Sequence, residues 1–247
     1  MSRGAIMERA PTGVDLLDKI LEGGIPRPAS VLISGDIGTN KNTFAQQILF
    51  RGLLEGEKAI YVTIDAFPED LIKNMLKYGM DVREFVRSGD LVFIDGFSPR
   101  VGVESNAPYI IENPFDPNEV LKAIVIAEKE VFGAGLPCRL VISHISTMLF
   151  MATKPQILSF IERMHAEARK YNGVYILVYS EGVMNPYVEN FIKQLPDVVI
   201  TLKRDAESGK RTMSIMRCVR TRYPRNPFEY ELTDKGIVIK EAKRLVY

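Results

Sequence analysis

The chain has 247 residues, of which 46% are hydrophobic and 26% are charged, and its formal net charge is +1. This length is enough for one α/β domain with a large core or for two small domains. The near-zero net charge disfavours a general nucleic-acid binder, which usually has a clear basic excess, but it is compatible with a local basic patch. No apolar run approaches the roughly 20 residues of a membrane helix.

The N-terminal segment, residues 1–29, is expected to form a cap on the domain. Its start, MSRGAIMERAPTG, lacks the apolar stretch of a secretory signal. In TGVDLLDKILEGGIP, Thr12 or Asp15 is expected to begin a short helix, which Gly23 and Gly24 end. Cys138 and Cys218 are far apart and are expected to be buried, reduced thiols of a cytoplasmic protein. Two cysteines and two histidines that do not cluster predict no metal site.

Apolar strand-like runs then alternate with helix-like stretches. The runs are VLISG (31–35), AIYVTID (59–65), LVFIDGF (91–97), RLVISHI (139–145), VYILVYSE (174–181) and VVITLKR (198–204). The early runs are continuously apolar, which indicates a parallel sheet covered on both faces. Segment 98–118 has no periodicity, and loops of that length are usually functional or disordered. Turn signals in AESGK and TDKG predict antiparallel hairpins near the C-terminus. One domain over residues 1–247 fits this pattern best.

The stretch LISGDIGTNKNTFAQQIL resembles the phosphate-binding pattern G-x-x-x-x-G-K-[ST], placed between a strand and a helix. Gly35 opens the pattern and Lys41 is in register. Asn40 replaces the second glycine, and asparagine tolerates a positive φ better than most residues. Asn42 replaces the hydroxyl residue that ligates Mg²⁺, and Thr43 is turned by about 100° around the helix, away from the metal. The candidate nucleotide- or phosphate-binding residues are Gly35, Asp36, Ile37, Gly38, Thr39, Asn40, Lys41, Asn42 and Thr43.

From PTGVDLLDKILEGGIP to LTDKGIVI, the chain resembles the RecA superfamily, specifically its KaiC-like and RadA-like single-domain ATPases. The opening segment, the phosphate loop, YVTIDAFPEDLIKNM and NPFEYELTDKGIVI carry this resemblance. It implies a three-layer α/β fold with a mostly parallel central sheet and C-terminal antiparallel hairpins.

The chain departs from the family pattern at the positions that serve hydrolysis. Ser143 stands where the resemblance places a metal-orienting aspartate. The family's acidic pair, which includes the base for the attacking water, reads Asp65–Ala66 here, and Glu181 replaces a polar sensor. Losing a general base commonly costs 10² to 10⁴ in rate. We therefore expect degenerate nucleotide motifs, no catalytic residue and inefficient ATP hydrolysis.

These departures favour a regulatory or scaffold subunit that binds a partner protein, which could be a second copy or an active paralogue. The alternative is an atypical ATP-binding ATPase in DNA recombination, repair or signalling. Nucleotide binding is open: the loop holds ATP or ADP without well-ordered Mg²⁺, or Lys41 is locked by Asp36, Asp65 or Glu181 and nothing binds.

Several other residues have alternative interpretations. Arg217, Arg220 and Arg222 are candidates for a subunit interface or a solvated sheet edge, and both are favoured over a DNA contact. His144 is expected to be a satisfied core or cleft residue that faces away from Ser143, since adjacent strand residues face opposite sides. His165 is expected on a solvated helix face. Met148, Phe150 and Met151 are expected in a loop, as core or as an apolar partner contact.

Overall fold

A ten-stranded sheet organises the chain in the computed structural model, which describes residues 7–132 and 136–240. The strands are β1 (Arg9–Ala10), β2 (Ile25–Pro26), β3 (Ala29–Gly35), β4 (Lys58–Thr63), β5 (Leu91–Asp95), β6 (Tyr109–Ile110), β7 (Cys138–Ile142), β8 (Val174–Ser180), β9 (Val198–Arg204), β10 (Arg211–Cys218), β11 (Phe228–Thr233) and β12 (Gly236–Ile239). The short strands β1 and β2 pair with each other as a separate antiparallel ribbon.

Helices connect the strands and cover the sheet. They are α1 (Asp15–Ile20), α2 (Lys41–Leu54), α3 (Pro68–Lys77), α4 (Arg83–Ser88), α5 (Pro117–Val131), α6 (Ile145–Phe150), α7 (Lys154–Lys170) and α8 (Pro186–Gln194). Segment 98–118 contains one 3₁₀ turn (Pro99–Val101), the edge strand β6 and the start of α5.

The strand order in the sheet is β12-β11-β10-β9-β3-β8-β7-β4-β5-β6. The pairs from β9 through β6 are parallel, whereas β9–β10, β10–β11 and β11–β12 are antiparallel. The predicted α/β fold, with a mostly parallel sheet and C-terminal hairpins, is confirmed.

The central strands are apolar along their whole length because both of their faces are covered. Every residue of β3 and β7 is buried, and so is every residue of β8 except the last. One apolar cluster includes Phe44 and Ile48 of α2 on one side of the sheet, and a second includes Ile124 of α5 and Phe160 of α7 on the other. This is the pattern expected of a parallel sheet between two helical layers.

The carboxyl ends of the parallel strands lie at one edge of the sheet, and this edge collects the candidate site. Gly35 ends β3, Asp65 follows β4, Ser143 follows β7 and Glu181 follows β8. In open α/β sheets, ligands bind in the crevice outside the carboxyl ends of the strands.

One sequence expectation about local structure needs correction, and another, the start of α1 at Asp15, is confirmed. The segment with Met148 and Phe150 is a helix, α6, rather than a loop, and it buries Met148 while Phe150 is 63% exposed. Helix α1 begins at Asp15, but its N-cap residue is Val14 and no side chain caps it. Asp18 instead accepts hydrogen bonds from the Thr12 and Gly13 amides, which fixes the turn before the helix.

Buried thiols and buried charges lie away from the candidate site. Cys138 and Cys218 are both buried and form no disulfide. At the amino end of the strands, Glu57 forms ion pairs with both Arg27 and Arg139, and the side chain of Arg139 is fully buried. Among the described residues, no helix is both long and apolar enough to cross a membrane.

Glu128 of α5 has a buried carboxyl group to which no basic side chain of the described residues donates a hydrogen bond. It is fully buried, and neither of its carboxyl oxygens has a hydrogen-bond partner. Burial, assisted by the neighbouring Glu167 carboxylate, raises the pKa of Glu128 to about 7, from an ordinary value of 4.5. The folded state therefore holds a proton on Glu128 at pH values where the unfolded chain has released it.

Glu128→Gln is expected to change how stability depends on pH. Because the pKa of Glu128 is higher in the folded state than in the unfolded chain, the protein is most stable, as far as this group is concerned, below about pH 4.5. This contribution to the free energy of unfolding is lost as the pH rises through 7, since the unfolded chain ionises Glu128 more easily. The loss between these limits is on the order of 3 kcal/mol. The variant has no carboxyl group to ionise at this position, so its free energy of unfolding should not fall over this pH range. In urea unfolding at pH 8 it should be more stable than the unaltered protein. Equal pH slopes for the two proteins would contradict the assignment.

Candidate phosphate-loop site

The loop between β3 and α2 has the backbone shape that its glycine pattern predicts. Gly38 has φ of 80°, and Asn40 has φ of 59° and ψ of 31°, so Asn40 takes the left-handed conformation at the position where the pattern has glycine. A Cβ at Gly38 would lie 3.1 Å from Nη1 of Arg204. Asparagine thus replaces glycine without losing the turn.

The loop is held from outside by the C-terminal hairpins. The Tyr230 hydroxyl donates to the Thr39 carbonyl at 2.6 Å, and Nε of Arg211 donates to the Gly38 carbonyl at 3.2 Å. Arg204 and Arg211 face each other in the β9–β10 register, beside the end of β3. Sequence reasoning missed Tyr230, Arg204 and Arg211, although the turn signal in AESGK marked the hairpin that brings the two arginines to the loop.

The start of α2 is free to bind an anion. Its N-cap residue is Asn40, and no side chain caps the helix. The first N–H groups of a helix have no acceptor within the helix, and they carry a partial positive charge. Lys41 and Thr43 are buried in the first turn, whereas Ile37 at the loop tip is 91% exposed. The loop therefore presents amide donors to a phosphate group.

Lys41 is the cation of the loop. It is 8% exposed, and its Nζ donates to the Asp36 carbonyl at 3.2 Å. Burial lowers the pKa of Lys41, and the carboxylates of Asp36, Glu181 and Asp65 oppose this shift. No carboxylate of the described residues forms an ion pair with Lys41, so the structure does not form the lysine–carboxylate lock, which was one of the two alternatives. Its partner is a backbone carbonyl.

Four polar side chains meet beside Lys41 and form what we call the polar network: Asn42, Asp65, Ser143 and His144. The Ser143 hydroxyl donates to Oδ1 of Asp65 at 2.6 Å, and Nε2 of His144 lies 3.1 Å from Oδ2 of the same carboxylate. Nδ2 of Asn42 lies 2.9 Å from Nε2 of His144. Both oxygens of Asp65 are thus engaged by protein groups.

The expectation that Ser143 and His144 face opposite sides is wrong. Strand β7 ends at Ile142, so neither residue follows strand alternation. His144 has φ of 50° and ψ of 45°, and this left-handed turn brings its ring to the carboxylate that Ser143 already contacts. Sequence reasoning missed His144 as a site residue because periodicity cannot reveal where a strand stops.

The surroundings of His144 favour the neutral form of its imidazole ring. Burial lowers the pKa of His144, the charge of Lys41 lowers it further, and the Asp65 carboxylate works in the opposite direction. In one tautomer Nε2 carries a hydrogen and donates it to Asp65. In the other tautomer Nε2 has a lone pair and accepts a hydrogen bond from Asn42. Oδ1 of Asn42 is buried and has no hydrogen-bond partner, so the amide has one unused acceptor.

Glu181 and Ala66 lie at the rim of the site. Glu181 accepts a hydrogen bond from Ser34 at 2.8 Å and forms an ion pair with Lys193, which offsets its negative charge. Ala66 presents a methyl group, and its carbonyl accepts from the Thr63 hydroxyl. Neither residue supplies a free carboxylate.

The candidate interface arginines lie away from this loop. Arg217 donates to the Gln194 carbonyl, and Arg220 donates to the Pro28 carbonyl at the amino end of β3. Arg222 is exposed. Of the basic residues in the C-terminal hairpins, the structure brings Arg204 and Arg211 to the loop instead.

The prediction that His165 lies on a solvated face is wrong. Its Nδ1 lies 3.0 Å from Oδ2 of Asp197, and its Nε2 accepts from Arg169. Asp197 also accepts from the Ser30 hydroxyl. This cluster lies at the amino end of the sheet and holds α7 against β3.

Replacing Asn40 tests the loop backbone. Asn40→Gly should leave the free energy of unfolding nearly unchanged, because glycine adopts a left-handed φ without strain. Asn40→Val should lower it by about 1–2 kcal/mol, because a β-branched residue in that conformation is strained. Urea unfolding of the two variants measures the difference. Equal stability would mean that the loop does not hold this conformation in solution.

Comparisons with known proteins agree with this geometry. The sequence model of the family described as "ATPase: KaiC" matches residues 10–244. The chain is 31% identical to a UPF0273 protein of Thermotoga maritima, with 95% of this chain and 96% of that protein covered. It is 30% identical to a UPF0273 protein of Aeropyrum pernix, with 96% of both chains covered.

More distant proteins show the same relationship. The chain is 28% identical to the circadian clock protein KaiC3 of Synechocystis, covering 94% of this chain but 46% of that protein. The structure of a KaiC-like protein from Pyrococcus horikoshii superposes with a TM-score of 0.75 at 23% identity, covering 96% of this chain and all of that one, which supports the fold. On the family match and the relatives, the chain belongs to the KaiC family of ATPase domains.

Proposed function

We propose that this KaiC-family domain binds the phosphates of a nucleotide without an ordered Mg²⁺, turns over ATP inefficiently, and acts as a regulatory or scaffold subunit for a partner protein. The observation that carries the proposal is the polar network. Its hydrogen bonds join the side chains at the positions where the family resemblance expects the metal ligands and the base.

The residues present do not fit Mg²⁺. This ion takes oxygen ligands at about 2.0–2.1 Å in near-octahedral geometry and usually keeps several waters. Asn42 replaces the hydroxyl that ligates Mg²⁺ in the pattern, and it contacts His144. Ser143 replaces the acid and spends its hydroxyl on Asp65. Neither Asn42 of α2 nor Ser143 after β7 therefore offers a free oxygen ligand at the position that Mg²⁺ would occupy.

The site also lacks a free general base. Asp65 is the one carboxylate left of the expected acidic pair. Its Oδ1 accepts from the Ser143 hydroxyl, and its Oδ2 lies 3.1 Å from Nε2 of His144. A base must reach the water that it deprotonates, and a carboxylate that accepts a hydrogen bond from the protein and lies against a protein side chain on its other oxygen is a weaker and less accessible base. Ala66, at the second acidic position, cannot substitute for it.

Phosphate binding is supported by the loop. Gly38 and Asn40 keep their positive φ values, the start of α2 has no side-chain cap, and Lys41 faces the loop. These features bind a phosphate through amides and one cation, and they need no metal. They also support the second candidate, an atypical ATP-binding ATPase, which would require Asp65 to leave the polar network in the nucleotide complex.

A partner protein is supported by exposed apolar side chains at the same edge of the sheet. Phe150, Met151 and Tyr187 are 63%, 68% and 73% exposed. Near them, the end of α6, the start of α7 and the β8–α8 loop enclose a groove of about 430 Å³. A nucleic-acid partner is less favoured, because Arg217 and Arg220 donate to carbonyls of the chain itself.

Thermal unfolding with nucleotide tests the proposal. ADP without Mg²⁺, at about 100 times its dissociation constant, should stabilise the protein by about 2.7 kcal/mol. Added Mg²⁺ should not increase this shift, and Lys41→Ala should abolish it. The double variant Asn42→Thr/His144→Ser restores hydroxyls and removes the imidazole, so its shift should become Mg²⁺-dependent.

Two results would contradict the proposal. A Mg²⁺-dependent shift in the unaltered protein would mean that the polar network opens and that the ATPase alternative is correct. No shift with any nucleotide would mean that the loop binds no phosphate. Circular dichroism of each variant without ligand serves as the folding control.

A further inference from the structure

We infer that Asp65, His144 and Asn42 form a binding site for a divalent transition-metal ion that prefers a mixed nitrogen and oxygen ligand set, such as Mn²⁺, Co²⁺, Ni²⁺ or Zn²⁺. This site would hold its ion without nucleotide. The inference uses residues of the proposed site but does not rest on the proposed function, because it concerns the protein alone.

Geometry is the first support. Two ligands that are each about 2.1 Å from one metal ion, at about 90° to each other, are separated by about 3 Å. Oδ2 of Asp65 and Nε2 of His144 are 3.1 Å apart, and Nδ2 of Asn42 is 2.9 Å from the same imidazole nitrogen. The three side chains come from the turn after β4, from the turn after β7 and from α2, so two strand ends and a helix set their separation.

The amide of Asn42 can complete this set of ligands. Its Oδ1 is buried and has no hydrogen-bond partner. Turning the amide by about 180° about its terminal torsion exchanges Oδ1 with Nδ2, and such sp³–sp² torsions are broad and roughly two-fold. The turn then aims an oxygen at the space between Asp65 and His144. No three His, Cys, Asp or Glu side chains converge within residues 7–132 and 136–240, so the inferred set has two such ligands, Asp65 and His144, with the Asn42 amide oxygen as the third.

Ligand chemistry selects the class of ion. Imidazole binds Zn²⁺, Ni²⁺ and similar ions well, whereas Mg²⁺ favours oxygen ligands. His144 and Asp65 have side chains that are 28% and 26% exposed, so water can fill the remaining coordination positions. Ser143 donates to Oδ1 of Asp65, which leaves Oδ2 directed toward the ion and orients the carboxylate.

The positive charge of Lys41 is expected to weaken metal binding at this site, whereas it is expected to strengthen nucleotide binding. This charge disfavours a second cation on His144. Removing this charge with Lys41→Ala should therefore strengthen metal binding, whereas the same variant should abolish nucleotide binding. The two proposals thus predict opposite effects of one substitution, and either can fail alone.

The test is titration of nucleotide-free, untagged protein with Mn²⁺ and with Zn²⁺, followed by calorimetry and by NMR of the histidine rings. The chain has two histidines, so His165 serves as an internal reference. One equivalent of Zn²⁺ should shift the ring signals of His144 and leave those of His165 in place. Mn²⁺ should broaden the His144 signals first, and Mg²⁺ at the same concentration should do neither.

His144→Asn is the matched variant, because asparagine tolerates the left-handed backbone that His144 adopts. It should weaken Zn²⁺ binding by at least about tenfold, and Asp65→Asn should also weaken it. Unchanged affinity in His144→Asn, equal effects on both histidines, or the absence of binding in the unaltered protein would each overturn the inference. Unfolding curves of the variants without metal show whether each still folds.

Discussion

The Asp65 carboxylate is the constraint on which the site depends. It receives the Ser143 hydroxyl on one oxygen and lies beside the His144 ring on the other. A partly buried carboxylate needs such partners, because desolvation without compensation is costly. In the function we propose, the protein meets that need itself, and the same groups are then not available to Mg²⁺ or to an attacking water. The phosphate loop and this network are therefore adjacent but chemically separate.

Different parts of the fold hold the phosphate loop and the polar network. Loop geometry depends on Gly38, on Asn40 and on the contacts from Tyr230 and Arg211, none of which belongs to the polar network. The network depends on the ends of β4 and β7. A substitution in the polar network can therefore leave the backbone of the phosphate loop undistorted, and the reverse also holds. A KaiC-family domain can in this way retain an anion site and change what the site does.

Much of the fold could be predicted from the sequence, because continuously apolar runs and turn signals depend on local pattern. The α/β class and the C-terminal hairpins are examples. The site was harder, since its partners are distant in sequence: Asn42 and His144 meet across 102 positions. His144 was predicted to face away from Ser143, and a left-handed turn at the strand end reversed that. Helix α6 was missed because a six-residue helix has too few turns to show a period.

A single-turnover measurement tests the central claim most directly: protein in excess over γ-labelled ATP, with Mg²⁺, compared with Lys41→Ala. If the polar network occupies the metal and base positions, phosphate release should be no faster than in the variant. Release that depends on both Lys41 and Mg²⁺ and exceeds the variant rate by 10² or more, the usual contribution of a general base, would contradict the account. It would place Asp65 in the reaction instead of in a closed network.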